Sequence, residues 1–378
     1  MATLCFFGPA VRGTGEYSSE RTGLEASNGC VPMSWNSCVG ISSVGALLGA
    51  FGLRFALITS ALLAGLPAVP AQAGPIVVQG VTINSWGYQL INDDASEIAK
   101  SRYDVIVMDY QRDPSAGGPF TPAELAVMKR KPDGSRRFVI AYISIGEAEN
   151  YRYYWGDRTW NDQRNRTPLI EKENPEWPGN LSVKYWEQEW QNLILNDADS
   201  YINRIMDAGF DGVYLDKIDI ADDYQGKTPP GTVASDLMIQ FVRKIATVTK
   251  LRNPKFLTIA QNAEGLLDDD DYRAAIDGIG KESVLFNEGL FDANNPFKDP
   301  VRNDTPSIKE TERLLSKLRA DGKLVMVVEY INKSTLISKA SDELTGLGYI
   351  PYFGPRDLAH LNYPEVMVSS AGQGTKKR

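Results

Sequence analysis

Short apolar runs alternate with amphipathic stretches along most of this chain. The run Val105-Ile-Val-Met-Asp109 is continuous rather than alternating in polarity. Such a run reads as a strand buried on both faces. Comparable runs lie within 81–90, 137–147, 209–219, 255–262, 276–282, 323–330 and 348–354. Helical signals separate them. Asp93 or Asp94 can cap a short helix reaching Ser101. Thr121, Pro122 and Glu124 form a capping box with proline at the first helical position. The stretch 232–250 places Leu237, Phe241 and Ile245 on one face. Further helices are predicted over 188–208, 266–275, 307–320 and 334–347. No hairpin signal interrupts this β-then-α order, which implies a parallel sheet with right-handed crossovers. About eight repeats predict a closed (β/α)8 TIM barrel of the α/β class. It is expected as a single domain over residues 75–367, followed by a disordered tail over 368–378. No Gly-x-Gly-x-x-Gly or P-loop pattern follows a strand, so a nucleotide-binding sheet lacks its fingerprint.

In such a barrel, chemistry is done where the strands end. Those ends supply Asp109, Glu147, Asp216, Glu264, Glu282 and Glu329. Tyr110, Tyr142, Gln261, Asn262 and Tyr330 reach the same rim. A long loop over 150–185 adds aromatics, Trp155 among them. One acid at a strand end is most often a helix cap or a salt-bridge partner. Several gathered in one cleft raise one another's pKa, which keeps some protonated at neutral pH. An acid beside an ionised carboxylate is what glycosidic bond cleavage requires.

Composition removes the competing chemistries. His360 is the only histidine, and Cys5, Cys30 and Cys38 all lie far toward the N-terminus. A His-rich zinc site is impossible, and a catalytic triad would have to use His360 alone. Carboxylates, tyrosines and lysines remain, and no metal or organic cofactor is expected. The formal net charge of −8 disfavours nucleic acid as a partner, because phosphate binding wants a basic face. It suits a neutral or cationic ligand.

The N-terminal segment reads as a targeting signal. Arg54 is the only charge between Val39 and Ala73, and an apolar run from Phe55 to Ala64 follows it. Ala71-Gln72-Ala73 fits the small-x-small cleavage rule, placing the mature start near Gly74 and the protein outside the cytoplasm. The preamble is long for a signal peptide, and initiation nearer Leu53 would shorten it. The alternative reading is a membrane anchor, for which the run is short. The mature chain is expected to have no stable membrane span.

Four stretches resemble glycoside hydrolase family 114. They are Trp86-Gly-Tyr-Gln-Leu90, Val105-Ile-Val-Met-Asp-Tyr110, Ala141-Tyr-Ile-Ser-Ile-Gly-Glu-Ala-Glu-Asn-Tyr-Arg152 and Gly209-Phe-Asp-Gly-Val-Tyr-Leu-Asp-Lys-Ile-Asp219. The resemblance covers about residues 80 to 355, most specifically in the last two stretches. It implies a secreted endo-α-1,4-polygalactosaminidase with a retaining mechanism, acting on partly deacetylated galactosaminogalactan. Asp216 matches the family's nucleophile. Glu282 is the favoured acid/base, with Glu264 as its rival. Asp109, Tyr110, Tyr142, Glu147, Trp155, Asp219, Gln261, Asn262, Glu329 and Tyr330 are expected to bind substrate, a cationic amino-sugar polymer. Two other functions stay open: a non-catalytic polysaccharide-binding protein on a degenerate barrel, and a glycosidase for another α-linked sugar.

Overall fold

Eight parallel strands lie side by side in chain order in one sheet. They are β1 (Trp86–Tyr88), β2 (Val105–Asp109), β3 (Phe138–Ser144), β4 (Gly212–Asp216), β5 (Leu257–Gln261), β6 (Gly278–Glu282), β7 (Leu324–Glu329) and β8 (Ile350–Phe353). The computed structural model describes residues 75–91, 93–112, 118–156, 160, 167–287 and 300–361. The expected signal peptide, its cleavage point and the C-terminal tail lie outside the described residues. No helix among those residues is long and apolar enough to cross a membrane.

The sheet nearly closes into the predicted barrel. At the seam between β8 and β1, side chains take over from the backbone ladder. Trp86 Nε1 donates to the Ile350 carbonyl at 2.9 Å, and Tyr352 Oη to the Tyr88 carbonyl at 3.4 Å. The continuous apolar runs still obey a period of two. Val105 and Val107, Phe138 and Ile140, Leu257 and Ile259, and Leu324, Met326 and Val328 fill the barrel interior. Their neighbours Ile106, Met108, Val139, Ala141, Val325 and Val327 pack outward in the layer that the helices cover. Both faces are apolar because both are buried.

Four parts differ from the sequence expectation; one is the helix expected over 266–275, which is a 3-10 turn (Glu264–Asp268) followed by a helix, Asp270–Ala275. The run over 81–90 splits. Val81–Ile83 pairs antiparallel with Ile76–Val78, through a turn in which Gln79 (φ +48°) and Gly80 (φ +82°) are both left-handed. That is a two-residue hairpin turn of the primed kind. Its Ile76 and Ile83 join the interior cluster at the start of the strands. The loop over 150–185 is also not structureless. Ile170–Glu173 and Asn180–Val183 form an antiparallel sheet with Glu147–Glu149. The helix expected over 188–208 is broken, as Gln188–Gln191 runs into a π-helical turn (Asn192–Asn196). Ser200 then caps a new helix, Tyr201–Ala208, through the Asn203 N–H. The other caps are as read: Asp94 accepts from Ser96 and Glu97, and the Thr121–Glu124 box is complete.

Candidate active site

The period of two decides which strand-end residues enter the barrel mouth. On β4, Tyr214 faces the interior, and Asp216 shares its parity. On β6, the interior positions are Gly278, Gly280 and Glu282. Gly280 is required there, because a Cβ would lie 2.0 Å from the Tyr214 hydroxyl. Tyr142 and Tyr330 share the same inward parity on and beyond β3 and β7.

Each of two carboxylates sits in its own hydrogen-bond cradle. Tyr142 Oη donates to Asp216 Oδ2 at 2.5 Å, and the Lys217 N–H donates to Oδ1 at 2.6 Å. Tyr330 Oη donates to Glu282 Oε1, and Asn262 Nδ2 to Oε2 at 2.8 Å. The Glu282 N–H returns a bond to Asn262 Oδ1 at 3.0 Å. Burial is the main cause that pushes Asp216 up to about 7. The Tyr142 bond and Lys217 oppose that rise, whereas Asp219 and Glu282 add to it. Tyr88 and Tyr214 lie beneath, with ring centroids 5.3 Å apart. Burial raises both phenols well above their ordinary range, and the charges of Glu282 and Asp216 raise them further. The two acids therefore share one cleft and sense each other directly.

Glu264 stands outside this arrangement. It opens a 3-10 turn, Glu264–Asp268, where it lies 3.5 Å from Lys281 Nζ and accepts from Thr311 Oγ1 at 3.5 Å. Gln261 lies inside the mouth, where its Oε1 accepts from Tyr88 Oη at 3.2 Å. Glu147 and Asp219 line the rim beside Asp216. Lys217 Nζ lies 3.6 Å from Glu147 and 4.0 Å from Asp219. Asn174, from the antiparallel sheet's turn, donates to Glu147 at 3.0 Å. Asp219 starts a short helix without capping it through its side chain.

Four expected substrate contacts are corrected by the structure. Asp109 is buried and paired with Arg152 through two bonds of 2.7 and 2.8 Å, so its charge is already compensated. Glu329 is fully buried and accepts from the Leu285 and Phe286 N–H groups at 2.7 and 3.1 Å. It has the outward parity, and burial pushes it up to about 8. Tyr110 packs edge-on against Tyr201 in the outer layer. Trp155 is buried edge-on against Trp160.

Sequence reasoning missed Lys217, Arg152, Tyr88 and Tyr214. For Tyr88 and Tyr214 the parity of their strands was the available signal. Arg152 has one local partner, Glu149 three residues earlier, but Asp109 joins them only in the fold. Its guanidinium is buried, with Glu149 Oε2 at 2.7 Å. Arg152→Met would strand two buried carboxylates, and a loss of about 3–5 kcal/mol is expected in chemical denaturation. An unchanged midpoint would show that this network contributes nothing to stability.

Backbone conformation marks the same region. Lys217 (φ +61°), Asn262 (+53°), Ala263 (+53°) and Ser283 (+57°) are left-handed without being glycine. They follow β4, β5 and β6 directly. Such conformations are costly and persist where surroundings enforce them, often at functional sites.

The sequence profile of glycoside-hydrolase family GH114 matches residues 67–372. The chain belongs to that family. Among its relatives is the uncharacterized protein MJ1477 of Methanocaldococcus jannaschii, 35% identical over 73% of this chain and 78% of that one. Another is an uncharacterized protein of Thermotoga maritima, 33% identical over 73% and 81%. In fold, this GH114 chain is similar to the glycoside hydrolase domain of PelA from Pseudomonas aeruginosa. That likeness has a TM-score of 0.54 at 15% identity and covers 73% of this chain and 96% of the domain. The GH114 chain is thus a glycoside hydrolase by family, and its candidate site is the Asp216–Glu282 cleft at the strand ends.

Proposed function

We propose that this chain is a secreted, retaining endo-glycosidase that cleaves α-1,4-linked galactosamine polymer, with Asp216 as nucleophile and Glu282 as acid/base. One observation carries the reading: two acids on β4 and β6 face one cleft, each oriented by a separate tyrosine. An Asp216 oxygen attacks the anomeric carbon as the glycosidic C–O bond breaks. Glu282 gives its proton to the leaving oxygen. Its carboxylate then takes a proton from water, which attacks the glycosyl-enzyme and frees Asp216. Retention follows from the two inversions. The donor groups around Asp216 favour its ionised form. A substrate ammonium close by would favour it further, adding to the charge of Lys217.

One observation favours the reverse assignment, with Asp216 as the acid. Burial raises Asp216 to about 7. Trapping the intermediate separates the two readings, because the covalent sugar marks the nucleophile.

The overall test is reducing-end release from deacetylated galactosaminogalactan, with the first-formed anomer followed by NMR. The α-anomer is expected. Early β-anomer would mean inversion, and binding without release would mean a carbohydrate-binding protein.

A further inference from the structure

Lys217 is a cationic group in this cleft whose ammonium the two-carboxylate mechanism does not use. Its ammonium sits between Glu147, on the loop after β3, and Asp219, on the loop after β4. Both loops are locked together here, since a Cβ on Gly146 would lie 2.2 Å from the Lys217 carbonyl. Glu147 is buried, with 5% side-chain exposure, and Asp219 is 43% exposed. A buried carboxylate left without a cation is costly, and Lys217 supplies that cation to Glu147.

The manner of pairing differs from that of Arg152. Arg152 is 1% exposed and grips Asp109 with two short bonds. Lys217 is 28% exposed and stands 3.6 and 4.0 Å from its partners. A lysine is a point charge on a flexible stem, with no planar fork to hold it in place. It can swing toward water while its stem stays on the protein.

We propose that Lys217 is an exchangeable counter-ion: the ammonium of a deacetylated amino sugar displaces its Nζ from Glu147 and Asp219. This rests on the amino-sugar reading above. It makes the position beside Asp216 selective for a charged sugar, because the two acids stay paired before and after binding. An N-acetylated unit brings no cation and gains nothing by displacing the lysine. Lys217 is thus a specificity-determining residue with an electrostatic role.

Equilibrium binding of an α-1,4-galactosamine trimer and its N-acetylated counterpart tests this on the full chain at pH 7. Glu282→Gln serves as background to prevent turnover. Adding Lys217→Met removes the competing cation, and the charged trimer should bind roughly fivefold tighter, about 1 kcal/mol. Lys217→Arg should bind it more weakly than the parent, because a guanidinium forms a tighter fork with the acids. The N-acetylated trimer should bind all three alike. A structural role for Lys217 would weaken both trimers in both variants, and that result overturns the proposal. So does tighter binding of both trimers by Lys217→Met. If the wild-type chain releases no reducing ends from any galactosamine polymer, the functional reading fails first and the inference with it.

Discussion

Asp216→Asn should lose about 10⁴-fold or more in kcat and yet melt at a higher temperature than the wild type at pH 8. The two effects have one cause. Asp216 is raised from an ordinary 3.8 to about 7 chiefly by burial. A carboxyl whose folded-state pKa is raised binds its proton more tightly when folded than when unfolded. Its charge therefore opposes folding, increasingly as pH climbs from about 4 to about 7, and by a constant amount above that. That constant amount is at most about 4 kcal/mol. Asparagine keeps the shape and removes the charge. Melting curves across this range should show a gain at pH 8 that shrinks steadily toward pH 4. A variant that keeps near-full activity would remove Asp216 from the chemistry. An inactive variant without the pH-dependent gain would mean that the carboxylate is better solvated than its surroundings indicate.

The second large effect falls on Glu282. Glu282→Gln should lower kcat/KM by about 10²–10⁴ for polymer, whereas Glu264→Gln should stay within about threefold, because its carboxylate is engaged by Lys281 and Thr311. Substrates with an acidic leaving group need no proton, so the Glu282 variant should retain most of its first step on them. Its second step lacks a base, so the covalent sugar should accumulate on Asp216, where mass spectrometry can locate it. Azide should release it as a glycosyl azide of retained configuration. An adduct on Glu282 in the Asp216→Asn protein would establish the reverse roles. A large loss in Glu264→Gln with none in Glu282→Gln would move the acid/base to the loop after β5.

The barrel was legible because its strands are short, apolar and separated by amphipathic helices, some with capping signals. Each of those signals is local. The hairpin at Gln79-Gly80 was not, because Gln in a left-handed turn lacks the Asn-Gly or Asp-Gly signature. The antiparallel sheet over 147–183 escaped because Glu147–Glu149 reads as the tail of an apolar strand. Its pairing is decided by Asn180–Val183, some thirty residues onward. For the site, acids at strand ends were visible, but their environments were not. Asp109 and Glu282 look alike in sequence, yet a distant arginine claims one and a tyrosine and an asparagine orient the other. Glu329 was separable in principle. Counting by two from the buried apolar positions of β7 puts it on the outer face, one residue out of step with Tyr330. Apolar residues on both faces hid that alternation.

The left-handed residues after β4, β5 and β6 bear on how this enzyme can change. Lys217, Asn262, Ala263 and Ser283 hold the backbone where β-branched side chains and proline are poorly accommodated. A combinatorial library that randomises the rim freely would lose many members at these four codons before any sugar is tested. Restricting them to glycine, asparagine, aspartate and the native residue keeps the backbone and leaves variation to the neighbours. New substrate preferences should then come from Asn174 and Asp219, which sit at the rim on ordinary backbone. Diversity is cheapest at positions that shape the cleft without setting its frame.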